Sequence, residues 1–102
     1  MVDLKELQKA VIDNKVKHGF NTTDVNLEFL LAYGELSEAF AAWDHKKDDL
    51  GEELADVAIY LLGISEIVGI DLEKEIIHKM EKNKKRVYKI VNGVYTKTEG
   101  MD

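Results

Sequence analysis

Apolar residues recur at helical spacing over most of the chain and alternate with polar ones only near its end. Leu4, Leu7, Val11 and Ile12, with Val16 one turn further on, lie on one helical face and predict a helix over residues 3–18. Gly19 stands where a left-handed residue ends a helix. Residues 19–24 (GFNTTD) read as a loop that offers Thr22, Thr23 and Asp24 as caps for a second helix, about 25–44. A polar connection at 45–47 follows. Asp48 or Asp49 is placed to cap a third helix, about 49–68, which Gly69 closes. Asp71 is placed to cap a fourth, from Leu72 to about Lys85. Beyond it, Asn92-Gly93 sits between alternating apolar and polar residues, a short-range hairpin signal. The expectation is an all-α four-helix bundle in a single domain, residues 1–102. Its helical part spans about 3–86, and its tail, 87–102, forms a short C-terminal β-hairpin.

The middle of the third helix, VAIYLLGI, is apolar nearly all round, so it should be covered on more than one face. A 102-residue chain buries a limited share of its surface. A second subunit is therefore the expected second cover, which makes the protein an oligomer. Composition narrows the class. With 45% hydrophobic and 33% charged residues the chain is a folding, globular one. Its net charge of -6 argues against bulk electrostatic binding to nucleic acid or to an anionic membrane. The absence of cysteine excludes disulfides, thiolate zinc sites and thiol catalysis. The longest apolar run, Val57 to Ile64, falls far short of the ~20 residues of a membrane helix. The N-terminus has acids and no apolar signal-peptide core. The expected setting is the cytoplasm.

Two acidic pairs stand out. Glu35 and Glu38 lie in GELSEAF on the second helix; Glu53 and Asp56 lie in GEELADVAIYLL on the third. Each i,i+3 pair points two carboxylates from one helical face, where they repel each other. Apolar neighbours flank both pairs: Leu36, Ala39 and Phe40, then Leu54, Val57 and Ala58. A short connection makes the two helices antiparallel neighbours, so the four carboxylates should converge at one level of the bundle. Repulsion and desolvation would then raise some of their pKa values. A divalent cation removes that penalty, and an all-oxygen donor set suits Mg²⁺ or Mn²⁺. Two solvated acidic faces are the alternative reading of the same spacing.

A basic stretch, Lys79 to Arg86, contrasts with the acidic remainder. Cations near a helix C-terminus are favoured by the helix dipole, which accounts for Lys82, Lys84 and Lys85. Lys79, Asn83 and Arg86 also share one helical face, as a phosphate grip would require. Trp43, at the end of the second helix, reads as a core or interface aromatic or as a wall on which a base stacks. Phe20 and Asn21 in the first loop are further candidates for a base contact. His18, His45 and His78 have no partner at metal-ligand spacing and are assigned to no metal.

GELSEAF, GEELADVAIYLL and GIDLEKEIIHKMEKNKKR together resemble the MazG-like all-α nucleoside triphosphate pyrophosphohydrolases, over about residues 5–90. E-x-x-E, E-L-x-D-V and K-M-x-x-N-x-x-R carry the resemblance. It implies Mg²⁺-dependent cleavage of a nucleoside triphosphate to the monophosphate and pyrophosphate, by a homodimer or homotetramer. By position it implies Glu35, Glu38, Glu53 and Asp56 as metal ligands and Lys79, Asn83 and Arg86 as phosphate contacts. Glu52 is a candidate outer acid. Many members have adjacent acids ahead of the pair, whereas Gly34 precedes Glu35 here. Aligning GEL with the common E-x-G-E-L form would instead make Glu35 the second ligand, with Ala32 where the first would stand. The implied mechanism is metal-assisted hydrolysis, with Glu38 as the base that takes a proton from water. Phosphoribosyl-ATP pyrophosphohydrolase-like activity and a non-catalytic nucleotide- or protein-binding helical module are the rival readings.

Overall fold

Capping chemistry sets most of the helix ends. The computed structural model describes the backbone of residues 2–91 and 94–99 and the side chains of residues 2–86. In chain order it contains α1 (Leu4–His18), α2 (Val25–Asp44), α3 (Leu50–Val68), α4 (Leu72–Lys85), β1 (Val87–Val91) and β2 (Val94–Glu99). The Asp3 carboxylate accepts from the Lys5 and Glu6 amides at the start of α1. Of the three candidates in the first loop it is Asp24 that caps α2, accepting from the Leu27 amide at 3.1 Å. Gly19 and Gly69 both take the left-handed conformation, at φ 71° and 78°. Each lets the chain double back, so that Phe20 N donates to Lys15 O and Ile70 N to Ser65 O, both at 2.8 Å. Lys46, at φ 55°, does the same work after α2 without being glycine.

One expected cap is absent. Asp49 occupies the N-cap position of α3, but its side chain makes no capping hydrogen bond. Its backbone lies at φ -93°, ψ 14° rather than in the extended region from which a cap reaches the free amides. Its Oδ1 is instead shut away from water without a hydrogen-bond partner.

The chain divides into two compact units, Met1–Leu72 and Glu73–Asp102. In the first, α3 packs against both α2 and α1. Ala39 and Ala42 of α2 and Leu62 and Ile64 of α3 form its buried apolar core. A side chain at Gly63 would meet Val11 Cγ1 at 3.2 Å and Lys15 Cε at 3.6 Å, so the bare backbone there is what lets α1 lie close. The buried stripe of α1 is also more polar than its leucines and valines predict. Val16 is exposed, whereas Gln8 is only 3% exposed. The Gln8 amide donates to Glu66 Oε1 at 3.0 Å and Ile70 O at 2.6 Å, and its oxygen accepts from Leu72 N at 3.2 Å. A buried amide with both ends satisfied ties α1 to the end of α3 and to the first residue of α4.

The apolar middle of α3 is covered in part. Leu62 and Ile64 are buried, while Ile59 and Leu61 remain exposed. A longer exposed stripe runs along α2 through Phe29, Tyr33, Leu36, Phe40 and Trp43, at alternating four- and three-residue steps. In the second unit α4 exposes Ile76, Ile77 and Met80. There β1 pairs antiparallel with β2, with Tyr88 opposite Lys97 and Val91 opposite Val94. The expected Asn92-Gly93 turn lies outside the described residues. Among the described residues, no helix is long and apolar enough to cross a membrane.

Candidate metal centre

The short 45–49 connection folds α3 back along α2, and the acidic pairs meet across the helix pair. Glu35, Glu38 and Glu53 each offer a carboxylate oxygen, and the three oxygens lie within 4.8 Å of one another. Glu35 and Glu53 are half-buried and Glu38 is exposed. The oxygens Glu35 Oε2 and Glu53 Oε2 are shielded from solvent and have no hydrogen-bond partner. Neither α2 nor α3 contains a lysine or arginine, so these helices bring no counter-charge of their own.

The electrostatic consequence follows directly. Removal from water, then the charges of Glu38 and Asp56, push the Glu35 pKa up, and a side-chain hydrogen bond with Glu38 and the charge of Glu53 add to it. Glu53 is raised as well, by desolvation first and then by Glu38, Asp49, Asp56 and Glu52. The four acids singled out by spacing thus act on one another. Asp56 is an electrostatic neighbour of both raised groups and lies outside the tight trio. Asp49 joins the cluster unforeseen, beside the expected outer acid Glu52; its position suggested a helix cap, and nothing in the spacing marked it as a member. Orphaned oxygens in an all-carboxylate set fit a hard divalent cation, which would satisfy them and remove the repulsion.

Next along the same face of α3, one turn beyond Asp56, stands Tyr60. Desolvation and the charges of Glu28, Glu35, Asp56 and Glu38 hold its phenol above the usual tyrosine value. Tyr60 also lines a cavity of about 440 Å³ between α1 and α3, with Leu7, Val11, Asn14, Lys15 and Phe20 among its walls. Phe20, one of the predicted base contacts, therefore shares a cavity wall with Tyr60. Asn21 does not reach outward. Its amide nitrogen donates to Asp24 O at 2.9 Å and Glu28 Oε2 at 3.1 Å, and its oxygen accepts from the Thr23 and Asp24 amides. Trp43 is 68% exposed and lines a different cavity, with Lys46, Lys47 and Leu50.

Glu28 was not marked by the sequence. It is fully buried, at 0% exposure, and forms an ion pair with Lys15. Two signals were available: it lies seven residues before Glu35, on the same side of α2, and Lys15 falls on the buried side of α1, four residues after Val11. Of the basic trio, the structure brings Asn83 and Arg86 together, Arg86 Nη1 donating to Asn83 Oδ1 at 2.9 Å. Lys79 lies one helical turn before Asn83 on α4. Comparison of the chain with family models, with curated proteins and with solved structures finds no match.

Proposed function

We propose that this protein is a divalent-cation-dependent hydrolase that cleaves a nucleoside triphosphate to the monophosphate and pyrophosphate. One observation carries the reading: three carboxylate oxygens from two helices lie within 4.8 Å of one another, two of these carboxylates with shielded, unpartnered oxygens. An arrangement that repels itself this strongly is hard to account for as a stabilising feature. The motif resemblance to MazG-like pyrophosphohydrolases points the same way.

Glu35, Glu38, Glu53 and Asp56 would hold Mg²⁺, or Mn²⁺. When bound, the ion would neutralise triphosphate charge and polarise a phosphoryl oxygen. Glu35 and Glu53, half-buried, suit the part of fixed ligands. Glu38, the exposed member of the trio, would accept a proton from an attacking water. Lys79, Asn83 and Arg86 would grip the phosphates, with Asn83 orienting the Arg86 guanidinium through its hydrogen bond. Phe20, which lines the α1–α3 cavity, is freer than Asn21 to contact a base, since the Asn21 amide is engaged by its own loop and by Glu28. Trp43, with its ring exposed, remains a stacking candidate at the other end of α2. The exposed stripe Phe29, Tyr33, Leu36, Phe40 and Trp43 supports a homodimer or homotetramer, because a second copy would cover it.

The test is pyrophosphate release with Mg²⁺ across ordinary and modified ribo- and deoxyribonucleoside triphosphates, with Glu38→Gln as control. Release from the native chain that Glu38→Gln abolishes is the expected result. No release across the panel, from folded protein that Mg²⁺ stabilises, would move the reading to phosphoribosyl-ATP or to a non-catalytic binding module.

A further inference from the structure

A cation from α1 reaches the acid that precedes the cluster on α2. Lys15 starts on α1, and its stem passes Gly63 of α3, where a β-carbon would stand 3.6 Å from Lys15 Cε. Its ammonium ends against Glu28 of α2. The same ammonium donates to Asn21 O at 3.2 Å and lies 5.5 Å from the centre of the Tyr60 ring. Asn21 in turn donates to Glu28 Oε2 and holds the Thr23 and Asp24 amides. One buried ion pair therefore ties together α1, the 19–24 loop, α2 and the ring of Tyr60.

A buried ion pair is weak evidence for stability, because apolar residues of similar volume often serve as well or better. The placement of this pair suggests another use. Lys15, Phe20 and Tyr60 all line the α1–α3 cavity. Tyr60 also follows Asp56 by one turn on the same face of α3, so it links the cavity to the acidic face. We propose that the Lys15–Glu28 pair is a positioning element for substrate. It fixes Tyr60 and the 19–24 loop as the wall between the acidic cluster and the cavity, so that a ligand anchored on the acids has its uncharged end aligned in the cavity. Lys15 and Glu28 act here through Tyr60 and the loop, not on the reacting atoms. The proposal rests on the nucleotide reading above.

The test uses Lys15→Met/Glu28→Leu in the full chain, since removing one partner alone would leave a buried charge. Nucleoside triphosphate is compared with inorganic tripolyphosphate, which has phosphates but no uncharged end. The double variant keeps its melting temperature and its response to Mg²⁺. Its KM for nucleotide rises about tenfold or more, the scale that misplacement of a substrate produces, while KM for tripolyphosphate stays put. An unchanged nucleotide KM overturns the proposal; so does an equal rise for both substrates, which would make the pair a mere support for the acids. If the double variant fails to fold, Lys15→Arg replaces it. The bulkier guanidinium must shift the wall, and the same split is expected at smaller size; its absence overturns the proposal. Calorimetric binding of both ligands in Ca²⁺ gives the same comparison without turnover. Failure of the hydrolysis reading then shows in the native chain, and failure of the positioning proposal shows in the variant. A native chain that binds neither ligand overturns both.

Discussion

Glu28 and Glu35 lie seven residues apart on one side of α2, and the chain treats them in opposite ways. Glu28 is sealed at 0% exposure, faced by the Lys15 ammonium and bonded by the Asn21 amide. Glu35, two turns on, meets Glu38 and Glu53 instead, on a pair of helices that carry no lysine or arginine. Burial alone cannot distinguish a structural acid from a functional one. The distinction lies in who supplies the counter-charge. Where a lysine reaches the carboxylate, the acid is tied into the fold; where none does, as on the α2–α3 face, the acids repel one another and their pKa values rise.

The comparison breaks most visibly at Glu28. Glu28→Ala strands the Lys15 ammonium in a buried place and should cost about 3–5 kcal/mol of stability, read by urea unfolding. A loss under 1 kcal/mol would mean that the pair is not worth what its burial implies. Glu53→Gln should do the reverse. It leaves the metal-free fold as stable as before or more so, yet lowers turnover by more than about 100-fold if cation-held carboxylates carry the transition-state charge. Near-native turnover would sink the assignment. Third, Mg²⁺ at a hundred times its dissociation constant should stabilise the native chain by about 2.7 kcal/mol, and this should vanish in Glu53→Gln. The smallest effect is in pH. Glu35 and Glu53 have folded pKa values above the ordinary 4.5, so the folded state binds more protons than the unfolded one just above that pH. Stability without metal therefore falls as pH rises from 4.5 through the raised values, and Mg²⁺ flattens the slope. A melting temperature that climbs over that interval in chelator would contradict the sign.

Much of this was legible before any coordinates. The ends of α1, α2, α3 and α4 fall within a residue of the expected ones, because Asp24, Gly19 and Gly69 carry strong local signals. The trio Glu35, Glu38 and Glu53 was legible because i,i+3 spacing and a short connection fix both face and level. What escaped depends on contacts between helices. Gln8 and Lys15 look like surface residues of α1, and only the bare backbone at Gly63 makes room for Lys15 to reach Glu28. Asp49 sits at a cap position, but its backbone angles turn its carboxylate away from the free amides, and its charge acts on Glu53 instead. Local pattern predicts where a side chain starts; it does not predict how far a long one reaches across a neighbour.

Gln8 has a consequence that belongs to exchange kinetics. The first amides of a helix have no partner inside it and ordinarily trade their hydrogens with solvent quickly. The Leu72 amide at the start of α4 is held by the Gln8 side chain oxygen, 64 positions earlier in the chain. Its deuterium uptake therefore reports on α1 letting go of α3, not on fraying of α4. A single slow amide at the head of a helix would time the opening of the three-helix unit under native conditions.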